Sequence, residues 1–250
     1  MCQANTLTDP FNQPQNNCNY SATAPYSACD VIGDPQLYDI QMATLTTGGG
    51  MLTVMIYLNT GAVQQNNNNQ LVLGSFSDAG VTLMPGDLLF YNPNTVYDPS
   101  DPNTTQYLQY GIPLVSHGSF AAGSLYSITG GTTVETAEQA LNYSSDYYRR
   151  DEAVLMDGAG TALTTGSVSV ATDGNGTTNA QYVITVTVPT TSAFMSLVSG
   201  GQIGLLFSSA DCGNDVIQGS VGAPEPSSAL LILTGIGLLL AGRKWRKPGA

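Results

Sequence analysis

The chain holds a single histidine, His117, four cysteines, and 18 carboxylates against six basic residues, and these bound the chemistry open to it. Catalysis by a Ser-His-Asp or Cys-His arrangement has to use His117, yet the surrounding VSHGSF carries no nucleophile elbow, so an exposed strand-end histidine is expected. Cys2, Cys18, Cys29 and Cys212 include no CxxC pair, which with one histidine gives no zinc site of usual spacing. Disulfides are then the expected use of these residues outside the cytosol. The bridge expected is Cys29 to Cys212, joining the segment before the first strand to the one after the last, with Cys18 to Cys29 as the alternative. Closing so long a loop contributes roughly 4 to 5 kcal/mol on the chain-entropy model.

That bridge would also draw Asp30, Asp34, Asp211 and Asp215 together. Carboxylates in such a group suit calcium, a hard cation satisfied by oxygen, with Asn214 as a further ligand; the competing expectation is solvated aspartates that cap turns. Asp98, Asp101 and Asn103 form a second oxygen-rich group, and Asp173-Gly174-Asn175-Gly176 matches part of an EF-hand loop. Glycoside hydrolysis needs two carboxylates at a set separation, and the spacing of the acids singles out no pair. The glycine-rich stretch 156–166, MDGAGTALTTG, lacks the lysine of a phosphate loop and reads as a surface turn.

Charge is unevenly placed. Arg243, Lys244, Arg246 and Lys247 lie within five positions, leaving Arg149 and Arg150 as the cations of residues 1–223. Seventeen of the 18 acids precede Glu225, so the body carries a formal charge of −15 and cannot be held together by salt-bridge networks. Nucleic-acid binding, which needs Lys and Arg to displace counterions from phosphates, is excluded as a function class.

The elements that must position these residues are short and extended. Only 10% of the 250 residues are charged, with 28 Gly and 13 Pro, a composition suited to a loop-rich exported β domain. Residues 37–46 and 52–58 alternate apolar and polar around Gly48-Gly49-Gly50 and read as a hairpin, with Tyr38, Ile40, Met42 and Thr44 on one face. Leu52, Val54, Ile56 and Leu58 point one way in the partner strand, as do Tyr182, Ile184, Val186 and Val188 further on. Further strands are expected at 70–73, 87–91, 111–116, 123–129, 153–156, 166–171 and 204–207, with helix confined to a turn or two around 133–143. About ten strands of this kind imply an all-β fold, an antiparallel sandwich, followed by a C-terminal transmembrane helix. The expected organisation is a polar segment 1–36, possessing no basic n-region or apolar h-region, a sandwich ectodomain 37–220 and a sorting segment 221–250. The expected start of the natural chain lies upstream of Met1, where a signal peptide would supply export.

The last segment, VGAPEPSSALLILTGIGLLLAGRKWRKPGA, divides into a Pro-flanked polar element, an apolar run and a basic tail. Ser227 to Gly242 spans roughly 24 Å as helix, near the ~30 Å hydrocarbon core, and the basic cluster keeps the tail cytoplasmic with Trp245 at the interface. In this order the three parts resemble the PEP-CTERM sorting signal of Gram-negative bacteria. The resemblance covers about the last 28 residues. It implies that Pro224, Glu225 and Pro226 are recognised by an exosortase, a membrane transpeptidase, which cleaves nearby and passes the body to the cell envelope or exterior. An ordinary single-span anchor and a GPI signal are the alternatives.

The function expected from all this is structural or adhesive and non-enzymatic, with no required cofactor, and with envelope polysaccharide as a candidate partner. The alternatives are a carbohydrate-binding module, with Tyr97, Tyr107 and Tyr110 as its aromatic platform, or a secreted glycoside hydrolase using paired carboxylates.

Overall fold

The computed structural model describes residues 5–8, 31, 34–78, 80–95, 102–141, 152–174, 180–198 and 201–222. In chain order the elements are β1 (Asn5–Thr8), α1 (Pro35–Tyr38), β2 (Ile40–Gly48), β3 (Met51–Leu58), β4 (Val63–Gln65), β5 (Leu71–Leu73), β6 (Phe76–Asp78), β7 (Val81–Leu83) and β8 (Leu88–Tyr91). A 3-10 helix (Pro102–Tyr107) then leads into β9 (Leu108–Ile112), β10 (Ser124–Ser127), β11 (Thr132–Thr136), α2 (Ala137–Leu141), β12 (Ala153–Gly158) and β13 (Ala162–Thr165). The remainder is β14 (Ser167–Thr172), β15 (Tyr182–Pro189), α3 (Ser192–Met195), β16 (Gln202–Ser208) and β17 (Val216–Gly222). Among the described residues strand makes up 54% and helix 9%, and the ladders are antiparallel, so the fold is all-β.

Two sheets form the sandwich, one ordered β1-β2-β3-β15-β14 and the other β13-β10-β9-β8-β16-β17. Leu52, Val54, Ile56 and Leu58 of β3 and Ile184, Val186 and Val188 of β15 are fully buried between them, against Leu88, Phe90, Leu205 and Phe207 of the second sheet. Each such side chain contributes roughly 1.5–3 kcal/mol by leaving water. The β2–β3 turn forms at Gly49 and Gly50, whose φ of 59° and 77° suit a tight hairpin and exclude most side chains. Thr191 caps α3 by accepting the Phe194 N–H at 3.0 Å, and that turn drives Phe194 into the core edge-on to Phe90 and Tyr110.

The second sheet is covered on its other face as well. Leu89, Tyr91 and Leu206 pack with Leu108, Phe120, Tyr126, Ala153 and Met156 in a second cluster beneath the β11–β12 ribbon. The molecule is therefore three layers deep at this point: sheet, sheet and ribbon. β8 is buried at every position because it has no solvent face. One chain segment joins the first two layers along an edge: β13 pairs with β10 in the second sheet and β14 with β15 in the first. The kink between them falls on Gly166, where a Cβ would collide with the Thr187 carbonyl and the Val188 Cα.

Several sequence expectations change. Tyr38 belongs to the helical turn α1, not to the first strand, and the pairing shifts between Ile40 and Met42. This bulge turns Ile40, Ala43 and Leu45 inward and Met42 and Thr44 outward, so the expected shared face of Ile40, Met42 and Thr44 does not occur. The polar segment before residue 37 supplies β1, an edge strand of the first sheet, and the second sheet extends through β17 to Gly222. Among the described residues no helix is long and apolar enough to cross a membrane. The expected span, Ser227 to Gly242, lies outside them, as do the PEP motif and the basic cluster.

Candidate functional site

His117 is not an exposed strand-end residue. Its backbone bridges to Phe120 at the tip of a tight loop, its side chain is 14% accessible, and its ring tilts against that of Phe120 at 5.5 Å. Nε2 lies 3.1 Å from both oxygens of Asp87, a carboxylate 1% accessible at the entry to β8. Nε2 is therefore the nitrogen that carries a proton and donates it to Asp87, which leaves Nδ1 free of that carboxylate. Asp87 also accepts the Met156 N–H at 2.8 Å, so one carboxylate ties β8, the 117–120 loop and the ribbon together. Burial pushes the Asp87 carboxyl up, with His117 and the Met156 N–H opposing it. Burial pulls His117 down, but the Asp87 hydrogen bond and the charges of Asp87, Glu135 and Asp157 outweigh it and hold the imidazole above its usual value.

Beside this dyad the ribbon builds a groove of about 550 Å³. In the β11–β12 register Thr133 stands opposite Asp157 and Glu135 opposite Leu155, which places both acids on one face, diagonal to each other. Leu108, Ile128 and Val134 supply apolar wall, while Thr105, Gln106, Thr132, Thr133 and Gln139 supply hydroxyls and amides. Gln139 is held from α2, its Oε1 accepting the Thr136 N–H at 2.9 Å. Partial burial, then the Asp157 charge, raises Glu135 above the ordinary carboxylate range, with His117 opposing. An acid biased toward its protonated form beside a neighbouring carboxylate can donate a proton to one ligand oxygen while the partner accepts from another.

The expected aspartate group is not assembled among the described residues, where no three His, Cys, Asp or Glu side chains are arranged to hold a metal ion. Asp34 is exposed and accepts the Gln36 N–H, the turn-capping alternative. Asp215 is buried and accepts the N–H groups of Ile40 and Val216, fastening the second sheet to the start of the first. Asp211, 5% accessible, faces the Tyr38–Cys212 region; its Oδ1 has no hydrogen-bond partner, and burial pushes its pKa up to about 7. Asp30 lies outside the described residues, as do Asp98, Asp101 and Tyr97.

Cys212 is a free, buried thiol that donates to Asn214 Oδ1; its expected partner Cys29 lies outside the described residues with Cys2 and Cys18. Burial, then the Asp211 charge, pushes the thiol up and so disfavours its thiolate. Of the tyrosine platform, Tyr110 is spent on Phe194 in the core, while Tyr107 is 37% accessible between the groove residues Gln106 and Leu108.

Compared with known proteins, the chain matches no family model, no curated protein and no solved structure.

Proposed function

We propose that this is an exported cell-envelope protein, sorted by an exosortase through Pro224, Glu225 and Pro226, with a structural or adhesive role. The observation that carries the reading is the order of the tail: PEP, apolar run, then Arg243, Lys244, Arg246 and Lys247, behind a body whose own cations are Arg149 and Arg150. A three-layer β fold whose one ion pair among the described residues is His117 with Asp87 suits an envelope setting, since apolar packing holds it at any ionic strength. Its ligand-facing region in this reading is the groove at Glu135 and Asp157. Intact mass and fractionation of the native protein test it: loss of the tail from about residue 226 supports sorting, whereas a full-length integral species supports a plain anchor.

The paired acids favour one second reading, a glycoside hydrolase with Glu135 as proton donor and Asp157 as base or nucleophile. Turnover of a chromogenic glycoside panel, abolished by Glu135→Gln with binding retained, supports it; no turnover by the wild-type chain refutes it.

A further inference from the structure

The outer face of the first sheet is unlike the rest of the surface. Register places Thr46, Thr53, Thr187 and Ser167 side by side across β2, β3, β15 and β14, a continuous row of hydroxyl side chains. The next row runs Thr44, Met55, Thr185, Ser169, and the one beyond it places Met42 beside Tyr57. Met51 closes the far end opposite Gly48 and Pro189. No carboxylate falls in these rows, although the body carries 17 acids, and three of the chain's seven methionines do. No described element lies across them: β3 and β15 contact chiefly each other and their sheet neighbours.

In its lack of charge and its three methionines this face has the character of an interface centre. The five strands, of 4, 9, 8, 8 and 6 residues across the sheet, at ~4.8 Å spacing and ~3.4 Å per residue give a face of roughly 570 Å². Two such faces together cover about 1,100 Å², above the ~1,000 Å² a specific interface needs. A polysaccharide is the poorer occupant, since sugar stacking wants a row of aromatic rings and Tyr57 is the aromatic residue in the central rows. For a second copy the charge pattern is decisive: two bodies of −15 repel wherever acids face each other, and this face brings none together. We propose that the chain self-associates through the whole outer face of the first sheet, sheet against sheet, with Met55 of the central strand β3 near the middle.

Sedimentation velocity of the full chain in detergent micelles, across a concentration series, tests this. The wild type sediments as a dimer at micromolar concentration. Met55→Glu and Met55→Lys each weaken dimerisation at least tenfold, whereas Thr129→Glu, in the exposed β10–β11 turn, leaves it unchanged. Unchanged melting temperature and near-UV circular dichroism in each variant show that the fold is kept, and should both Met55 variants misfold, Thr185→Lys serves in their place. A monomeric wild type, or a dimer indifferent to Met55 and Thr185, overturns the proposal. So does a monomer that is retained on insoluble polysaccharide and released by Met55→Glu, which would assign the face to a glycan.

Discussion

The two sheets of the sandwich solve the same burial problem differently. The first has one dry face and one uncharged face of Thr, Ser and Met, and its strands alternate; β3 is buried at every second position. The second is dry on both faces under the ribbon, so β8 and most of β16 are buried throughout. Among the described residues chemistry gathers on the second: Asp87 and His117 are pinned beneath the ribbon, and Glu135 and Asp157 stand on it. A third layer is what allows a charged dyad to be held with little solvent access, because it supplies both the covering and the Met156 N–H.

The contrast can be broken most strongly at Leu89. In a two-layer sandwich its side of β8 would face water, and Leu89→Ala would be nearly silent. Under the ribbon it should cost about 2–5 kcal/mol in denaturant melts, against less than about 0.5 kcal/mol for Thr185→Ala on the outer face of the first sheet. Equal small effects would remove the third layer.

Asp211 gives the next effect, of opposite sign. Its folded pKa is raised, so the unfolded chain ionises first, and stability falls as pH rises from about 4 to about 7 and then levels. Asp211→Asn should remove that slope, leaving stability at pH 4 unchanged and raising it at pH 8 by at most about 4 kcal/mol, the linkage value of a three-unit shift. A variant with the wild-type slope would show that another group carries it.

A smaller change is expected at His117. Its folded pKa is raised, so its ion pair stabilises fully below the unfolded value of about 6.5 and is lost as pH rises through the folded value. His117→Ala should cost roughly 1–3 kcal/mol at pH 6, with Asp87 left buried without its partner, and less at pH 9. A penalty independent of pH would mean that the ring matters for packing on Phe120 alone.

What the sequence revealed follows the same division. Leu52, Val54, Ile56 and Leu58, and Ile184, Val186 and Val188, are legible because a half-buried strand has a period of two and Gly49 and Gly50 mark the turn. The bulge at Ile40–Met42 leaves no local signal, so simple alternation puts Ile40 on one face with Met42 and Thr44, which the bulge separates. The Asp87–His117 pair is 30 residues apart and joined only by tertiary packing; the hint was an aspartate opening the unbroken apolar run Leu88 to Tyr91, an acid entering a doubly covered strand. Thr133 to Thr136, TVET, falls in the stretch 133–143 that the sequence offers as helix, and forms strand in β11 because β12 pairs with it; that pairing alone sets the diagonal of Glu135 and Asp157.

The central claim, proposed above, is that the −15 body works outside the cell, and a single thiol probe tests it once the native Cys2, Cys18 and Cys29 are replaced by Ser, Cys212 being buried. Thr129→Cys, at an exposed turn, in that Ser-substituted chain on intact cells should react with a membrane-impermeant maleimide as fully as after lysis. Reaction only after lysis would place the body inside and contradict the account.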